Sequence, residues 1–326
     1  MAATVGGTAT VTASASAAGL TGAGSTLVAP LMANWISTFE IKEGIPVKYA
    51  AVGSGTGIAQ ITARTVDFGA SDAPLTPEQA SACNGCVHIP WALSATGVGY
   101  NLPGVKKLNL TGSILAGIYF GKITKWNDAK IKKVNPGVKL PGLAITPVFR
   151  SDGSGDTYAF TNYLSKVSAS WKSEVGYATT VGFTHGIGAK GNSGVTATVV
   201  KTPGAIGYIS AYYLIAAGVH AASIQNKAGN FELPNIPNIS AAASTVKSLP
   251  ATNTISITNP PKKATIAYPI STFTYAIIPH TAPQKGFLQQ FAKYCLTIGQ
   301  KYGAALDFAP LPKVVQQAGL NAVAGL

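Results

Sequence analysis

Three glycine-rich loops in the sequence carry short hydroxyl side chains where an anion-binding site would need them. The loops contain Thr26, residues 54–56 and residues 154–156, and apolar residues at helical spacing follow each loop. The first turn of a helix has unpaired N–H groups and a partial positive charge, and glycine lets the backbone approach a ligand closely. A Ser or Thr in this position either caps the helix or bonds to a bound oxyanion, and one loop alone does not distinguish the two.

Arg150 starts the third loop and adds a permanent positive charge. Its planar guanidinium suits a tetrahedral oxyanion, although an arginine in a loop also forms ordinary surface ion pairs. Asp152, two residues later, is placed to orient this guanidinium and to neutralise part of its charge. The three loops and the arginine together predict an oxyanion site more strongly than any one of them does.

The elements that must position these loops alternate between short apolar runs and amphipathic segments, which predicts an α/β fold. Strands are predicted at residues 47–52, 66–69, 145–149, 205–209 and 274–278. Helices are predicted after each of the three loops and at residues 284–300. A glycine-rich turn is predicted at residues 188–194, leading into residues 195–200, and residues 226–263, rich in Asn, Pro and Ser, predict a surface loop.

Length and composition limit the classes of protein. The chain has 326 residues, 47% of them hydrophobic, which predicts two domains with a sizeable core. No apolar stretch approaches the roughly 18–20 residues of a membrane-spanning helix. The net charge is +13, but the lysines are scattered and lack interleaved aromatic residues, so we predict that a basic surface steers an anion and that no nucleic acid is bound. The scarcity of carboxylates also suits a protein that works in acid.

The beginning of the chain and the cysteines indicate an exported protein. Residues 1–19 contain no Lys or Arg, and the small residues at 13–18 resemble the end of an export signal. We interpret this segment as a flexible leader and signal remnant, with a tail introduced by cloning as the alternative. Cys83 and Cys86 flank Asn-Gly, a strong turn pair, and are predicted to form a local disulfide in an oxidising compartment.

The same cysteine spacing also occurs in zinc sites and in redox motifs. It is half of a zinc site, but no second pair completes it, and a redox motif would begin a helix rather than a turn. Cys295 lies on the apolar face of a predicted helix and is predicted to be a buried free thiol. We predict no metal and no cofactor.

Six segments of the chain, taken together, resemble one known family. They are residues 22–26 (GAGST), 66–75 (VDFGASDAPL), 150–155 (RSDGSG), 188–195 (GAKGNSGV), 202–208 (TPGAIGY) and 310–312 (PLP). In this order they are similar to the periplasmic phosphate-binding proteins of bacterial ABC importers. The similarity runs from about residue 20 to residue 312, which is nearly the whole chain.

The resemblance implies a type II periplasmic-binding-protein fold, in which each of two lobes is a mixed sheet flanked by helices and the ligand lies in the cleft between them. Lobe I would comprise residues 20–95 and 271–326, and lobe II residues 96–270. It implies a secreted, periplasmic or otherwise extracytoplasmic monomer that is not an enzyme. Such a protein captures inorganic phosphate with high affinity by hinge closure and delivers it to the membrane permease of an ABC importer.

The resemblance also implies a set of ligand contacts. The hydroxyl and N–H of Thr26 and the N–H of Leu27 would hold phosphate from one loop. The shell would be completed by Ser54, Asp72, Arg150, Ser154 and the N–H of Gly155. Leu27 stands where the family often has an aromatic residue, a difference of little effect if only the amide is used. Asp156 stands where many members have Thr, and it either complements the helix N-terminus or contacts the ligand.

The carboxylates would decide which anion is bound. An ionised Asp72 accepts a hydrogen bond from a P–OH group but not from a deprotonated oxygen, which favours hydrogen phosphate over sulfate. If Asp156 also accepts, the site would favour dihydrogen phosphate, and the affinity would hold or improve toward pH 5.

The sequence leaves three alternative functions open. They are a receptor of the same fold for sulfate, molybdate or phosphonate, a phosphatase-like enzyme, and an extracellular interaction protein. Asp72 argues against fully ionised anions. The four histidines, His88, His185, His220 and His280, are far apart and outside the matched loops. Ser154 has no nearby His or Lys in sequence, so nucleophilic and metal-assisted catalysis are disfavoured.

Overall fold

The computed structural model describes residues 19–326, so all of the predicted leader except Gly19 lies outside the described residues. The strands of the described part are β1 Leu20–Gly24, β2 Val47–Ala51, β3 Phe68–Ser71, β4 Cys86–Tyr100, β5 Asn109–Leu110, β6 Thr146–Arg150, β7 Ile187–Ala189, β8 Ala205–Ser210, β9 His220–Ala221, β10 Ser223–Gln225, β11 Phe231–Glu232 and β12 Ser271–Pro279.

The helices of the described part surround these strands. They are α1 Ala29–Glu43, α2 Ser54–Thr62, α3 Pro77–Cys83, α4 Gly112–Tyr119, α5 Ala129–Lys133, α6 Gly155–Val167, α7 Ala169–Glu174, α8 Gly191–Lys201, α9 Ala211–Ala216, α10 Ile236–Ala243, α11 Lys285–Leu296 and α12 Lys313–Ala324. Two short 3₁₀ helices, Ile298–Tyr302 and Ala304–Leu306, lie between α11 and α12.

The long strand β4 joins two lobes of one mixed sheet. Its first part, up to Ala95, pairs antiparallel with β12, and from Thr96 onward it pairs antiparallel with β8. In lobe I the order is β2-β1-β3-β12, with β1 parallel to both β2 and β3. In lobe II, β8, β6 and β7 are parallel to one another, and a separate small sheet has the order β11-β10-β5. This architecture is the predicted two-lobed α/β fold.

The parallel strands of both lobes end at the same place, the interface between the lobes. In lobe I, β1 leads to α1 and β2 leads to α2 through the first two predicted loops. In lobe II, β6 ends at Arg150 and leads through the third loop to α6, and β7 leads to α8. Ligand sites of open α/β sheets lie outside the carboxyl ends of such strands, so the topology brings the predicted loops together.

Each lobe has its own buried aromatic cluster, which fixes the helices on the sheet. In lobe I, Trp35 and Phe39 of α1 pack near Trp91 and Phe291, with the Trp35 and Trp91 rings 5.5 Å apart. In lobe II, Phe160 of α6 stacks on Tyr208 of β8 with ring centroids 4.7 Å apart. Burial of large rings contributes much of the stability of a core, and offset or edge contacts add to it.

Three predicted segments differ from the structure. Residues 191–194 were expected in a turn, but they already belong to α8, since Thr196 and Thr198 bond back to carbonyls four residues earlier and Val195 and Val199 are buried. Residues 226–263 were expected to form a surface loop, but they contain β11 and α10, whose apolar face is buried. The predicted strand at 66–69 begins only at Phe68, because Asp67 accepts hydrogen bonds from Thr21.

The three cysteines form one disulfide and one buried free thiol. Cys83 and Cys86 form a disulfide that joins the end of α3 to the start of β4, and Cys295 is a buried free thiol. Within residues 19–326, no helix is long and apolar enough to cross a membrane.

Candidate functional site

The three loops meet where the lobes touch, and the two lobes are closed on each other. The N–H of Gly155 in lobe II donates to Ser54 Oγ in lobe I at 3.1 Å, and the N–H of Gly55 donates to the carbonyl of Gly153 at 2.9 Å. The side-chain amide of Asn192 donates to Thr26 Oγ1 at 3.0 Å. Each of the three loops therefore takes part in a hydrogen bond between the lobes.

Three hydroxyls in these loops act as hydrogen-bond acceptors within the protein. Thr26 accepts from a side-chain amide, Ser54 from two backbone N–H groups, and Ser154 from a backbone N–H of α6. Within residues 19–326, none of the three donates its own O–H to a protein acceptor, and each is at most 8% exposed. A hydroxyl whose lone pairs are used by protein N–H groups keeps its hydrogen for a ligand oxygen.

Two backbone N–H groups predicted to bind the ligand have partners within the loops. The N–H of Leu27 donates to Ser25 Oγ at 3.0 Å, and that of Gly155 donates to Ser54. Ser154 bonds the N–H of Thr157 and thereby also caps α6. Capping and ligand binding are thus compatible at Ser154, because the cap uses a lone pair and the ligand would use the hydrogen.

Arg150 is buried and held on two sides by carboxylates. Its Nε and one terminal nitrogen donate to the two oxygens of Asp152 at 2.7 and 2.5 Å, and the other terminal nitrogen donates to Asp156 Oδ2 at 3.2 Å. The backbone N–H of Arg150 donates to Tyr208 Oη. Burial alone would lower the pKa of Arg150, but both carboxylates hold it above its usual value. Two of its five N–H donors remain for a ligand.

Asp152 is the partner that orients Arg150. Besides both bonds from the guanidinium, it accepts the N–H of Gly191 at 3.0 Å. Burial alone would raise its pKa, but the hydrogen bonds and charge of Arg150 bring the pKa of Asp152 below its usual value. Asp152 is therefore ionised throughout the neutral range.

Asp72 is a buried acceptor at the end of β3. Ser25 Oγ lies 2.8 and 2.7 Å from its two oxygens, and Thr274 Oγ1 donates to Oδ1 at 2.7 Å. Burial, followed by the negative charge of Asp156, raises the pKa of Asp72 to about 7, although the two hydroxyls and Arg150 act in the opposite direction. A carboxyl group with this pKa gains or loses a proton close to neutral pH.

Asp156 lies in the first turn of α6 but its side chain is buried in the cluster. Thr96 Oγ1 donates to Oδ1 at 2.8 Å, and Asn192 donates to Oδ2 at 2.7 Å, the same oxygen that Arg150 contacts. Burial raises the pKa of Asp156, while the charge of Arg150 and the bonds from Thr96 and Asn192 oppose the shift. The carboxylate therefore faces the site as well as the helix terminus.

Two glycines permit the close approach of the lobes. A Cβ on Gly155 would lie 2.3 Å from Asp72 Oδ2, and a Cβ on Gly53 would lie 2.5 Å from Asp152 Oδ2. Gly53 also has φ of +94°, which side-chain-bearing residues rarely adopt. Both positions need glycine when the lobes are closed.

Several polar residues of the site were not singled out from the sequence. They are Ser25, Thr96, Asn192, Tyr208 and Thr274. Ser25, Asn192 and Tyr208 stand inside segments of the family pattern, so a signal existed there. Thr96 and Thr274 stand in strands that read as apolar, and no local pattern marks them.

The four histidines lie outside this cluster of loops. His88 is buried on β4, where it accepts the N–H of Leu75, while His185, His220 and His280 are exposed. Among residues 19–326, no group of three or more His, Cys, Asp and Glu is arranged to hold a metal ion.

The fold and this site define a two-lobed binding protein that closes around a small anion, and comparison with known proteins gives the family. Residues 9–297 match the PBP superfamily domain. The chain is 40% identical over 299 residues to the phosphate-binding protein PstS of Xylella fastidiosa, covering 90% of this chain and 81% of that protein. It is 38% identical over 305 residues to PstS of Pasteurella multocida, covering 91% and 88%.

The chain therefore belongs to the PBP superfamily and, within it, to the PstS phosphate-binding proteins. The same fold occurs in the solved structure of PfluDING, a high-affinity periplasmic phosphate-binding protein bound with phosphate. The two structures align with a TM-score of 0.75 at 22% identity, and the alignment covers 92% of each chain.

Proposed function

We propose that this protein captures inorganic phosphate outside the cytoplasmic membrane, in the periplasm or an equivalent compartment, and delivers it to the membrane permease of an ABC importer. One observation carries the proposal: three buried hydroxyls from both lobes keep an unused O–H, on loops that are hydrogen-bonded to one another and to the cluster of Arg150 and Asp72. A tetrahedral anion that also bears a proton matches such a set. The names of the PstS relatives agree with this ligand.

In this proposal each lobe supplies half of the binding shell. Lobe I contributes Thr26, the N–H of Leu27, Ser54 and Asp72. Lobe II contributes Arg150, Ser154, the N–H of Gly155 and Asp156, with Asp152 behind Arg150. The N–H groups of Leu27 and Gly155 would exchange their bonds to Ser25 and Ser54 for bonds to the ligand. The N-termini of α1, α2 and α6 add partial positive charge without any mobile counterion.

Asp72 is the proposed filter against sulfate. Phosphate at neutral pH carries at least one P–OH that can donate to Asp72, whereas sulfate carries none. Sulfate would therefore leave a buried carboxylate unpaired next to an anion, which is costly. Because burial raises the pKa of Asp72 to about 7, this filter should be strongest above that pH, where the carboxyl group is ionised and only accepts.

Binding is proposed to work by closure of the lobes about two strands. The boundaries would lie between Ala95 and Thr96 and between Ile270 and Ser271, and the change of partners along β4 supports the first of them. Phosphate that contacts both lobes would stabilise the closed state over the open one. The protein would act as a monomer and without catalysis, since Ser154 has no base within hydrogen-bonding distance among the described residues.

Isothermal titration with phosphate, sulfate and arsenate tests the proposal on protein stripped of ligand by unfolding and refolding. We expect one phosphate per chain, arsenate as a competitor, and no heat from sulfate. Asp72→Ala should lower the ratio of phosphate to sulfate affinity about 100-fold or more. Asp67→Ala is the matched control, because Asp67 is also a hydrogen-bonded aspartate of lobe I but bonds Thr21 at the other end of β1.

The alternatives give different results in the same preparation. Tight sulfate or molybdate binding without phosphate binding would indicate a receptor for another oxyanion. Turnover of an aryl phosphate would indicate an enzyme. A folded protein that binds none of these anions would overturn the proposal and leave an interaction role.

A further inference from the structure

The binding cluster contains more negative charge than a phosphate site requires. Asp72, Asp152 and Asp156 surround one buried arginine, Arg150, which leaves a net charge of −2 when all four groups are ionised. The three helix N-termini offset part of this with about +0.5 each. In a buried site such charges are weakly screened, so the charge of the ligand itself becomes decisive.

Asp156 is the carboxylate that makes this excess. Asp152 is paired with Arg150 through two hydrogen bonds, and Asp72 is the proposed acceptor of the ligand proton. Asp156 is 1% exposed and shares Arg150 only through one longer contact of 3.2 Å. Its other bonds come from the neutral groups of Thr96 and Asn192, which satisfy its oxygens without cancelling its charge.

The groups that face Asp156 do not supply a second positive charge. Arg150 comes from β6 and Asp152 from the following loop, while Asp72 faces it from lobe I. Tyr208 of β8 and Tyr213 of α9 also face it, and both are neutral phenols, with pKa values raised by burial. Among these groups of the described chain, Arg150 is the only positive one.

We propose that Asp156 makes this site selective for the singly charged, doubly protonated form of phosphate. This inference rests on the proposed function and adds the protonation state of the ligand to it. Dibasic phosphate would bring the net charge of the cluster to −4, whereas monobasic phosphate brings it to −3, the value that dibasic phosphate would reach if Asp156 were neutral. The extra proton is carried by the ligand or shared with Asp72 or Asp156, and the proton count of the complex is the same in each case.

The proton count makes the proposal measurable. At about pH 8 free phosphate is mostly dibasic, so binding should take up about one proton per phosphate. At about pH 5.5 free phosphate is already monobasic and the free protein already carries a proton on Asp72, whose pKa is about 7, so binding should take up no proton. The affinity should fall about tenfold per pH unit once free phosphate has lost its second proton.

The experiment is titration calorimetry with inorganic phosphate in pairs of buffers that differ in ionisation enthalpy, at both pH values. Asp156→Thr removes the charge, and Asp156→Asn removes it with the least change of shape. At pH 8 both variants should take up about one proton fewer than the natural protein, which means about none. Asp67→Asn, which removes a carboxylate of lobe I remote from the loops, should leave both counts unchanged.

The outcomes separate this inference from the proposed function. Phosphate binding with the same proton count in the natural protein and in both Asp156 variants would overturn the inference and leave the proposed function intact. Absence of phosphate binding by the natural protein at either pH would overturn both. A thermal melt of each variant without ligand identifies any variant that fails to fold. The number of protons that the natural protein takes up per phosphate at pH 8 tests the inference without a variant, because no proton uptake would contradict it.

Discussion

The side-chain amide of Asn192 donates to Thr26 Oγ1 in lobe I at 3.0 Å and to Asp156 Oδ2 in lobe II at 2.7 Å. Its carbonyl oxygen accepts the N–H of Ser210 at 2.8 Å, so all the polar atoms of this buried side chain are used. One residue at the start of α8 thus joins a loop of each lobe, and its bond to Thr26 forms only when the lobes are closed.

Asn192→Ala should weaken phosphate binding about 10- to 100-fold. The substitution removes the bond between the lobes and one of the two donors to Asp156 Oδ2, and it leaves the buried N–H of Ser210 unpaired, at a cost of about 1–3 kcal/mol. Calorimetry gives the dissociation constant. Asn101→Ala is the matched control, since Asn101 also bonds α8 through its amide, at the carbonyls of Val199 and Val200, far from the cleft. Equal losses in the two variants would show that Asn192 acts only through the stability of lobe II.

Gly155→Ala should prevent full closure and leave the open protein stable. The new methyl group would lie 2.3 Å from Asp72 Oδ2, a clash that exists only when the lobes meet. Overpacking of this kind costs about 1–3 kcal/mol, so phosphate affinity should fall about 10- to 100-fold while the melting temperature without ligand does not decrease. Thermal melts with and without phosphate measure both quantities.

The control for this variant is Gly286→Ala, which also adds a methyl group in the first turn of a helix, α11, but meets no atom within 4 Å. We expect the full stabilisation by phosphate in that protein. If Gly155→Ala is stabilised by phosphate to the same extent, the closed contact between Gly155 and Asp72 does not form in the complex.

His88 should make the fold less stable in acid. Its Nε2 accepts the N–H of Leu75 at 3.0 Å, and burial lowers the pKa of His88 from 6.5 to about 4. The unfolded chain therefore binds a proton that the folded chain does not, and the free energy of unfolding falls as the pH is lowered through this interval. Above about pH 6.5 the full contribution is present.

Urea unfolding of ligand-free protein at pH 7.5 and 4.5 measures this contribution. His88→Gln should reduce the loss of unfolding free energy between the two pH values by about 1–3 kcal/mol. His280→Gln, at an exposed histidine, should leave the loss unchanged. A variant at His88 with the same pH dependence as the natural protein would mean that His88 is protonated in the fold.

The sequence alone was sufficient to locate the three glycine-rich loops between strand ends and helix starts. Each consists of a strand end, a glycine with a short hydroxyl residue, and the first turn of a helix, and all three features depend on neighbouring residues. Arg150 and Asp152 are two residues apart, so their ion pair could also be expected from the sequence. The same local character explains why α1 and α6 were found where predicted, apart from shifts of a few residues at their ends.

Tertiary structure alone decided how the loops are joined. Thr274 reaches Asp72 across 202 residues of sequence, and Asn192 reaches Thr26 across 166. A hydrogen bond needs its atoms within about 3 Å. Local patterns do not determine such a distance between residues so far apart in sequence, because it depends on the whole path of the chain.

Asp156 combines a feature that the local sequence determines with one that only the tertiary structure determines. Its position after Ser154 and Gly155 indicated a helix N-terminus, where an acidic side chain is favourable in any protein. Its burial against Arg150, Thr96 and Asn192 arises only from the packing of α6 with β4, β6 and α8. The sequence therefore determined the kind of charge at this position, and the fold determined that the charge is buried beside Arg150, where little water screens it.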